Sequence, residues 1–210
     1  MIKKIGTILL MLTILTACAQ HTATDDEVLY LNVDTTGLEK YSYKNGRGDI
    51  IIPDDRYLQV YTDTIKTIGF ATRGDGNIWA INTKGEELFR AYRFDNGPDY
   101  VRDGLFRMVD ENGLIGFANM EGEIVIDPQF QRVGSFSEDL ASVCQNCIFE
   151  KHENPKIGKL LQGAFGFIDK TGKMIIKPQF DLVSRFENGK CKVWKDGRMF
   201  YINKNGNEID

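Results

Sequence analysis

The chain has 210 residues, of which 42% are hydrophobic, 27% charged and 11% aromatic, with a formal net charge of −4. Aliphatic and aromatic residues run throughout, which excludes a disordered chain, and the one long apolar run lies within the first 17 residues, which excludes a multi-pass membrane protein. Glycine is the compositional skew: 21 residues without a collagen period predict many tight turns between short strands.

At the N-terminus, Met1 to Lys4 is a short basic segment and Ile5 to Ile14 an apolar stretch too short to span a bilayer stably. The residues that follow, Leu15-Thr16-Ala17-Cys18, resemble a bacterial lipobox, in which cleavage precedes a cysteine that receives a diacylglyceryl group. The resemblance implies a signal peptide over 1–17 and lipidation at Cys18 with acyl chains such as palmitate. It also implies an exported lipoprotein held at the cell-envelope membrane by those chains. Residues 18–27 then read as the acylated cysteine and a polar tether. Ala19 is not the aspartate associated with inner-membrane retention, so a cell with two membranes would carry the protein on the outer one. Removing Lys3 and Lys4 from the 26 basic residues leaves 24 against 30 acidic ones, a net −6. That balance argues against nucleic acid as a partner and for an anchor that relies on acyl chains instead of a polybasic patch.

Residues 28–210 read as one β-repeat domain. Glycines recur in pairs nine apart: Gly37 and Gly46, Gly76 and Gly85, Gly113 and Gly122, Gly163 and Gly172, Gly197 and Gly206. Asp75-Gly76, Asn112-Gly113 and Asp196-Gly197 predict type I′ hairpin turns, as do Asn45-Gly46 and Asn205-Gly206. Each unit thus reads as strand, turn, strand, turn, strand: five tandem three-stranded antiparallel meanders in an all-β fold. Ile115-Gly116-Phe117-Ala118-Asn119 aligns with Phe165-Gly166-Phe167-Ile168-Asp169, and Ile126-Asp127-Pro128-Gln129-Phe130 with Ile176-Lys177-Pro178-Gln179-Phe180.

These residues resemble the bacterial WG-repeat (KWG-repeat) family, built around Trp-Gly-aromatic-Ile-Asp, Gly-Lys, Ile-x-Pro-x-aromatic and Phe-x-x-x-Leu-Ala. The resemblance is close over 113–197 and looser over 28–112. No Trp-Gly dipeptide occurs, and Ile115 and Phe165 stand where the family tryptophan would be, keeping a large apolar anchor. The family carries no single established activity, so the resemblance implies architecture more than function.

Strands with apolar residues on both faces, such as Ile78 to Ile81, must be covered on both, which predicts stacked meanders. A propeller-like ring is the favoured assembly, with strand 28–33 pairing in the last unit near Phe200. An open β-array or solenoid is the alternative.

Candidate chemistry is sparse. Cys144-Gln145-Asn146-Cys147 reads as a local disulfide or as free thiols ahead of a metal or catalytic site. Cys191 falls on a packed face. No cofactor or metal site is expected, and no catalytic residue is singled out. One hairpin carries about sixteen extra residues near 145–161, with the basic Lys151, His152, Lys156 and Lys159. They read either as a tolerated surface insertion or as a protruding hairpin that engages a partner. The expectation is a membrane-anchored, non-catalytic binding or scaffolding module with an envelope protein or glycan as partner. An envelope hydrolase using acidic residues and a protective or inhibitory lipoprotein that neutralises one protein are the alternatives.

Overall fold

An asparagine or aspartate followed three residues later by glycine punctuates every unit: Asn45/Gly48, Asn82/Gly85, Asn119/Gly122, Asp169/Gly172 and Asn203/Gly206. In each, the leading Oδ1 accepts the backbone N–H groups two and four residues on. The glycine then turns the chain at φ between 77° and 89°. An amide or carboxylate side chain thereby satisfies two turn donors, and glycine takes the left-handed position without a Cβ penalty.

The computed structural model describes residues 27–144, 146–151 and 160–209. Unit one comprises β1 (Leu29–Asp34), β2 (Lys40–Lys44) and β3 (Ile50–Ile52), followed by short linking strands β4 (Gln59–Val60) and β5 (Thr64–Ile65). Unit two is β6 (Ile68–Thr72), β7 (Ile78–Asn82) and β8 (Glu87–Ala91), with β9 (Arg93–Phe94) and β10 (Gly97–Pro98) in the link beyond it. Unit three is β11 (Leu105–Val109), β12 (Ile115–Asn119) and β13 (Ile124–Phe130), and its link holds β14 (Arg132–Val133). Unit four is β15 (Leu140–Cys144), β18 (Phe165–Asp169) and β19 (Met174–Phe180), with the insertion ribbon β16 (Ile148–Phe149) and β17 (Leu160–Gln162) between its first two strands. The link from unit four holds β20 (Leu182–Glu187), and unit five is β21 (Lys190–Lys195), β22 (Arg198–Ile202) and β23 (Glu208–Ile209). The protein is all-β, and no helix occurs among the described residues.

Two details of the turns differ from the sequence reading. Gly48, not Gly46, takes the left-handed position in the first unit. Of the turns read as type I′, only Asp196-Gly197 has positive φ at both residues, 52° and 75°. At Asp75-Gly76 and Asn112-Gly113 only the glycine is left-handed. There Asp75 and Asp110 accept downstream amides, which favours a three-residue loop closed by a glycine bulge over a two-residue turn.

Stacking follows from the two apolar faces. Ile115, Phe117, Ile126 and Phe130 of unit three pack against Ala141, Val143 and Ile168 of unit four. Phe165, Phe167, Ile176 and Phe180 of unit four meet Cys191, Val193 and Ile202 of unit five in the same way. Large residues on one face thus fit small or β-branched ones on the next, and side chains alternate between the two along each strand. Units two and three are also joined edge to edge, Met108 and Val109 pairing with Ala91 and Arg90, into a seven-stranded sheet.

The favoured ring is not formed; the arrangement is the open array. Strand β1 is occupied on one edge by β2 (Val33 opposite Tyr41) and on the other by β5 (Leu29 opposite Ile65). It therefore has no edge left for the last unit, where Phe200 pairs instead with Val193. The links supply the missing edge strands locally, β14 beside β15 and β20 beside β21, so each sheet is completed by its own neighbour in sequence. The outward face of unit one is mixed: Asn32 donates to Ser42 at 3.1 Å and Lys44 to Asn32 at 3.2 Å, while Tyr30 and Ile50 are exposed on either side of Lys44.

Candidate functional site

The segments linking units two to three, three to four and four to five converge on a cleft of about 620 Å³. At its floor Asp99 and Arg107 form a buried ion pair. Asp99 Oδ2 accepts the Arg107 backbone N–H at 2.9 Å and Nε–H at 2.8 Å, while a terminal nitrogen of Arg107 donates to Val133 O at 3.3 Å. The rings of Tyr92 and Phe94 lie 4.5 and 5.6 Å from the guanidinium carbon. Each charge is hydrogen-bonded as well as paired, which lets both sit away from water.

The rim is of a different character. Phe94 and Tyr100 are exposed, with centroids 5.7 Å apart in an edge-to-face pair, and Arg102 lies 5.9 Å over the Tyr100 ring. Ser135, Ser137, Ser142 and Ser184 line the walls. Ser137 Oγ donates to Phe186 O at 2.7 Å, which fixes one link against the next. The other carboxylates lining the cleft have structural partners: Asp103 accepts the Asp139 N–H at 2.8 Å, and Glu187 pairs with Arg185 at 2.6 Å. What this geometry offers a ligand is aromatic faces, hydroxyls and a guanidinium along an open trough.

The insertion builds a second, flanking region. Cys144 and Cys147 are joined by a disulfide at its root. Gly163 packs onto that bridge at φ 95°, where a Cβ would stand 2.6 Å from the Cys147 sulfur. The ribbon β16–β17 lies against unit four through Phe149, whose ring is 6.5 Å from that of Phe165. The Arg132 guanidinium carbon sits 3.6 Å from the centroid of the Phe149 ring, and burial pushes the arginine's pKa down. Grooves of about 630 and 680 Å³ run along either side of Phe149 and Arg132.

Of the residues singled out from sequence, Lys151 is exposed beside the first of these grooves. His152, Lys156 and Lys159, together with Cys18 and the segment 1–26, lie outside the described residues. Cys191 is buried, and burial raises its thiol pKa. Among the described residues, no group of three or more histidine, cysteine or acidic side chains is placed to hold a metal ion. Asp99 and Arg107 escaped the sequence reading because neither belongs to the repeat pattern. A lone Pro98-Asp99 carries no local signal for a buried pair.

Stacked meanders joined by links that shape a trough define a β-repeat protein. Residues 115–146 and 165–198 match the family model of the WG containing repeat, and the chain is similar to that β-repeat family over these two stretches. No curated protein matches the chain. Among solved structures, the computationally designed Ika4 protein is 12% identical, with a TM-score of 0.35 over 72% of this chain and 92% of that one. The designed Ika8 protein, also 12% identical, scores 0.33 over 86% and 56%. BamB from Moraxella catarrhalis, again 12% identical, scores 0.28 over 86% and 72%. Overlaps of this size define no shared fold.

Proposed function

We propose that the protein is an exported, lipid-anchored envelope protein whose β-array is a non-catalytic binding or scaffolding module, with the cleft between the links as its recognition surface. The observation that carries the reading is the contrast within that cleft. Its buried carboxylate is neutralised by Arg107, whereas Phe94 and Tyr100 remain exposed at the rim. A floor whose charges are already paired supports structure, and exposed aromatic faces beside a guanidinium and hydroxyls suit an extended envelope protein or glycan. The lipobox-like residues Leu15 to Cys18 support the anchor. The test is binding of the protein to its own envelope fraction, wild type against a Phe94→Ala/Tyr100→Ala variant. The variant is expected to keep its fold and lose about tenfold or more in retention, since aromatic anchors dominate such contacts. Equal retention by a folded variant overturns the reading.

A further inference from the structure

Inside the cleft, charge is cancelled both by number and by contact. The lining carries three guanidiniums, of Arg102, Arg107 and Arg185, and three carboxylates, of Asp99, Asp103 and Glu187. Two of each are joined in ion pairs, Asp99 with Arg107 and Glu187 with Arg185. The third carboxylate, Asp103, accepts the Asp139 N–H at 2.8 Å, and the third guanidinium, Arg102, lies over the Tyr100 ring. A charged ligand gains little from such walls, since each ion it carries gives up water for groups that are already matched.

The backbone around the cleft is engaged as well. Arg102 and Leu105 exchange N–H···O bonds at 2.8 and 3.0 Å, and Ser137 and Leu140 at 3.0 and 3.3 Å, so two of the links end in turns closed on themselves. Gly134 N–H donates to Ser142 O at 2.9 Å. In the third link, β20 bulges at Ser184 and Arg185, between the Val183–Val193 and Phe186–Cys191 pairs. An extended peptide that adds as a strand needs an unbroken edge of amides and carbonyls, and closed turns and bulges interrupt one. Side chains remain available: Phe94 and Tyr100 are 42% and 61% exposed, and the hydroxyls of Ser135 and Ser142 make no hydrogen bond to any described residue.

We infer that the cleft binds an uncharged glycan; this rests on the reading of the cleft as the recognition surface and names its ligand class. A pyranose ring has apolar C–H faces and a rim of hydroxyls that both donate and accept. It stacks on an exposed aromatic face while serine hydroxyls and the Arg102 guanidinium reach its rim, and it brings no charge to desolvate. Matched charges count against an acidic polymer, and interrupted edges count against an extended peptide.

The test uses the chain from residue 19 onward, which retains every described strand and lacks Cys18, so that acyl chains play no part. Its retention on its own envelope fraction is competed with three soluble pools from the same envelope. These are the oligosaccharides of a partial acid hydrolysate that pass both anion and cation exchangers, those that the anion exchanger holds, and the peptides of a protease digest. The expected result is displacement by the neutral pool alone, with retention changing by no more than about twofold between about 0.05 and 0.5 M salt. Tyr100→Ala, at an exposed position, should lower the displaceable retention about tenfold while keeping the wild-type circular dichroism. Failure of the neutral pool to displace the protein, displacement by the acidic pool or the peptides instead, or a loss of about tenfold in salt overturns the inference and leaves the cleft a surface for another ligand. Equal retention of the folded Phe94→Ala/Tyr100→Ala variant is a separate result, which overturns the reading of the cleft and the inference with it.

Discussion

Gly116 lies directly beneath the backbone of Ile126, so closely that a Cβ there would also stand 2.7 Å from the Pro128 nitrogen. Gly166 repeats the arrangement beneath Ile176 and Pro178. In both units the third strand slips register over this point, Phe117 pairing with Ile126 while Ile115 pairs with Phe130, and Phe167 with Ile176 while Phe165 pairs with Phe180. Proline has no N–H to offer the ladder, so the strand bulges there and sinks onto the only residue without a side chain. The glycine between the two large residues of Ile115-Gly116-Phe117 is thus explained by a close backbone approach, not by a turn.

Gly116→Ala and Gly166→Ala should each destabilise the protein by about 3 kcal/mol, because backbone must move to admit the methyl group. Gly37→Ala is the control: nothing lies within 4 Å of its Cβ position and its φ is not left-handed. It should be neutral or stabilising by about 0.5 kcal/mol. Urea midpoints of the three variants measure the contrast. A Gly116→Ala midpoint equal to that of wild type would show that the bulge is free to lift away.

Asp99→Ala strands the Arg107 guanidinium in a site it shares with Tyr92 and Phe94. Removing one partner of a buried pair costs about 3–5 kcal/mol, whereas replacing both partners by apolar residues costs less. The double variant Asp99→Leu/Arg107→Met should therefore be more stable than Asp99→Ala. Thermal unfolding of both proteins gives the order, and the reverse order would mean that the pair is solvated after all.

Acid should loosen the stacking of unit four on unit five. The Gly189 amide donating to Glu138 at 2.9 Å holds that carboxyl below its usual range, and Lys170 at 2.8 Å does the same for Asp139. Folded values below the unfolded ones contribute stability that is present above the unfolded pKa, about 4, and is lost as pH falls through the folded values. The urea midpoint of Glu138→Gln should accordingly lie below that of wild type at neutral pH and converge with it in acid. A gap that stays constant with pH would remove Glu138 from the account.

The cysteines give a chemical count. In the chain from residue 19 onward, no thiol should react with an aromatic disulfide reagent while the protein is folded, since Cys144 and Cys147 are bridged and Cys191 is buried. Denaturation should release one reactive thiol, and denaturation with prior reduction three. Because the bridge spans a sequence separation of three, Cys144→Ala/Cys147→Ala should cost only about 2 kcal/mol by loop-closure entropy. A larger loss would mark the bridge as the pin that seats Phe149 on unit four.

Much of the body was legible before any coordinates. Five meanders could be counted from recurring turn residues, because a left-handed backbone position and its amide-bearing partner are local demands that only a few residue types meet. Faces apolar on both sides required stacking, and the pattern of Ile115 to Asn119 and Phe165 to Asp169 falls within the two stretches that match the repeat model. The assignment failed where glycines compete: Gly46 and Gly48 stand two apart, and spacing alone chose the wrong one.

Closure lay beyond the sequence. Whether β1 turns to the last unit or to β5 depends on the path of the link between units one and two, where Ile65 packs with Leu29 and Tyr43, and short linking strands leave no periodic trace. The Asp99–Arg107 pair was hidden for a related reason. Its worth comes from burial beneath three converging links, and burial belongs to the assembled array. The units, their turns and the need to stack can be read from the chain, because they rest on interactions among residues near one another in it. That β1 turns away from the fifth unit and where the cleft lies depend instead on which strand edges and faces are already occupied in the folded array.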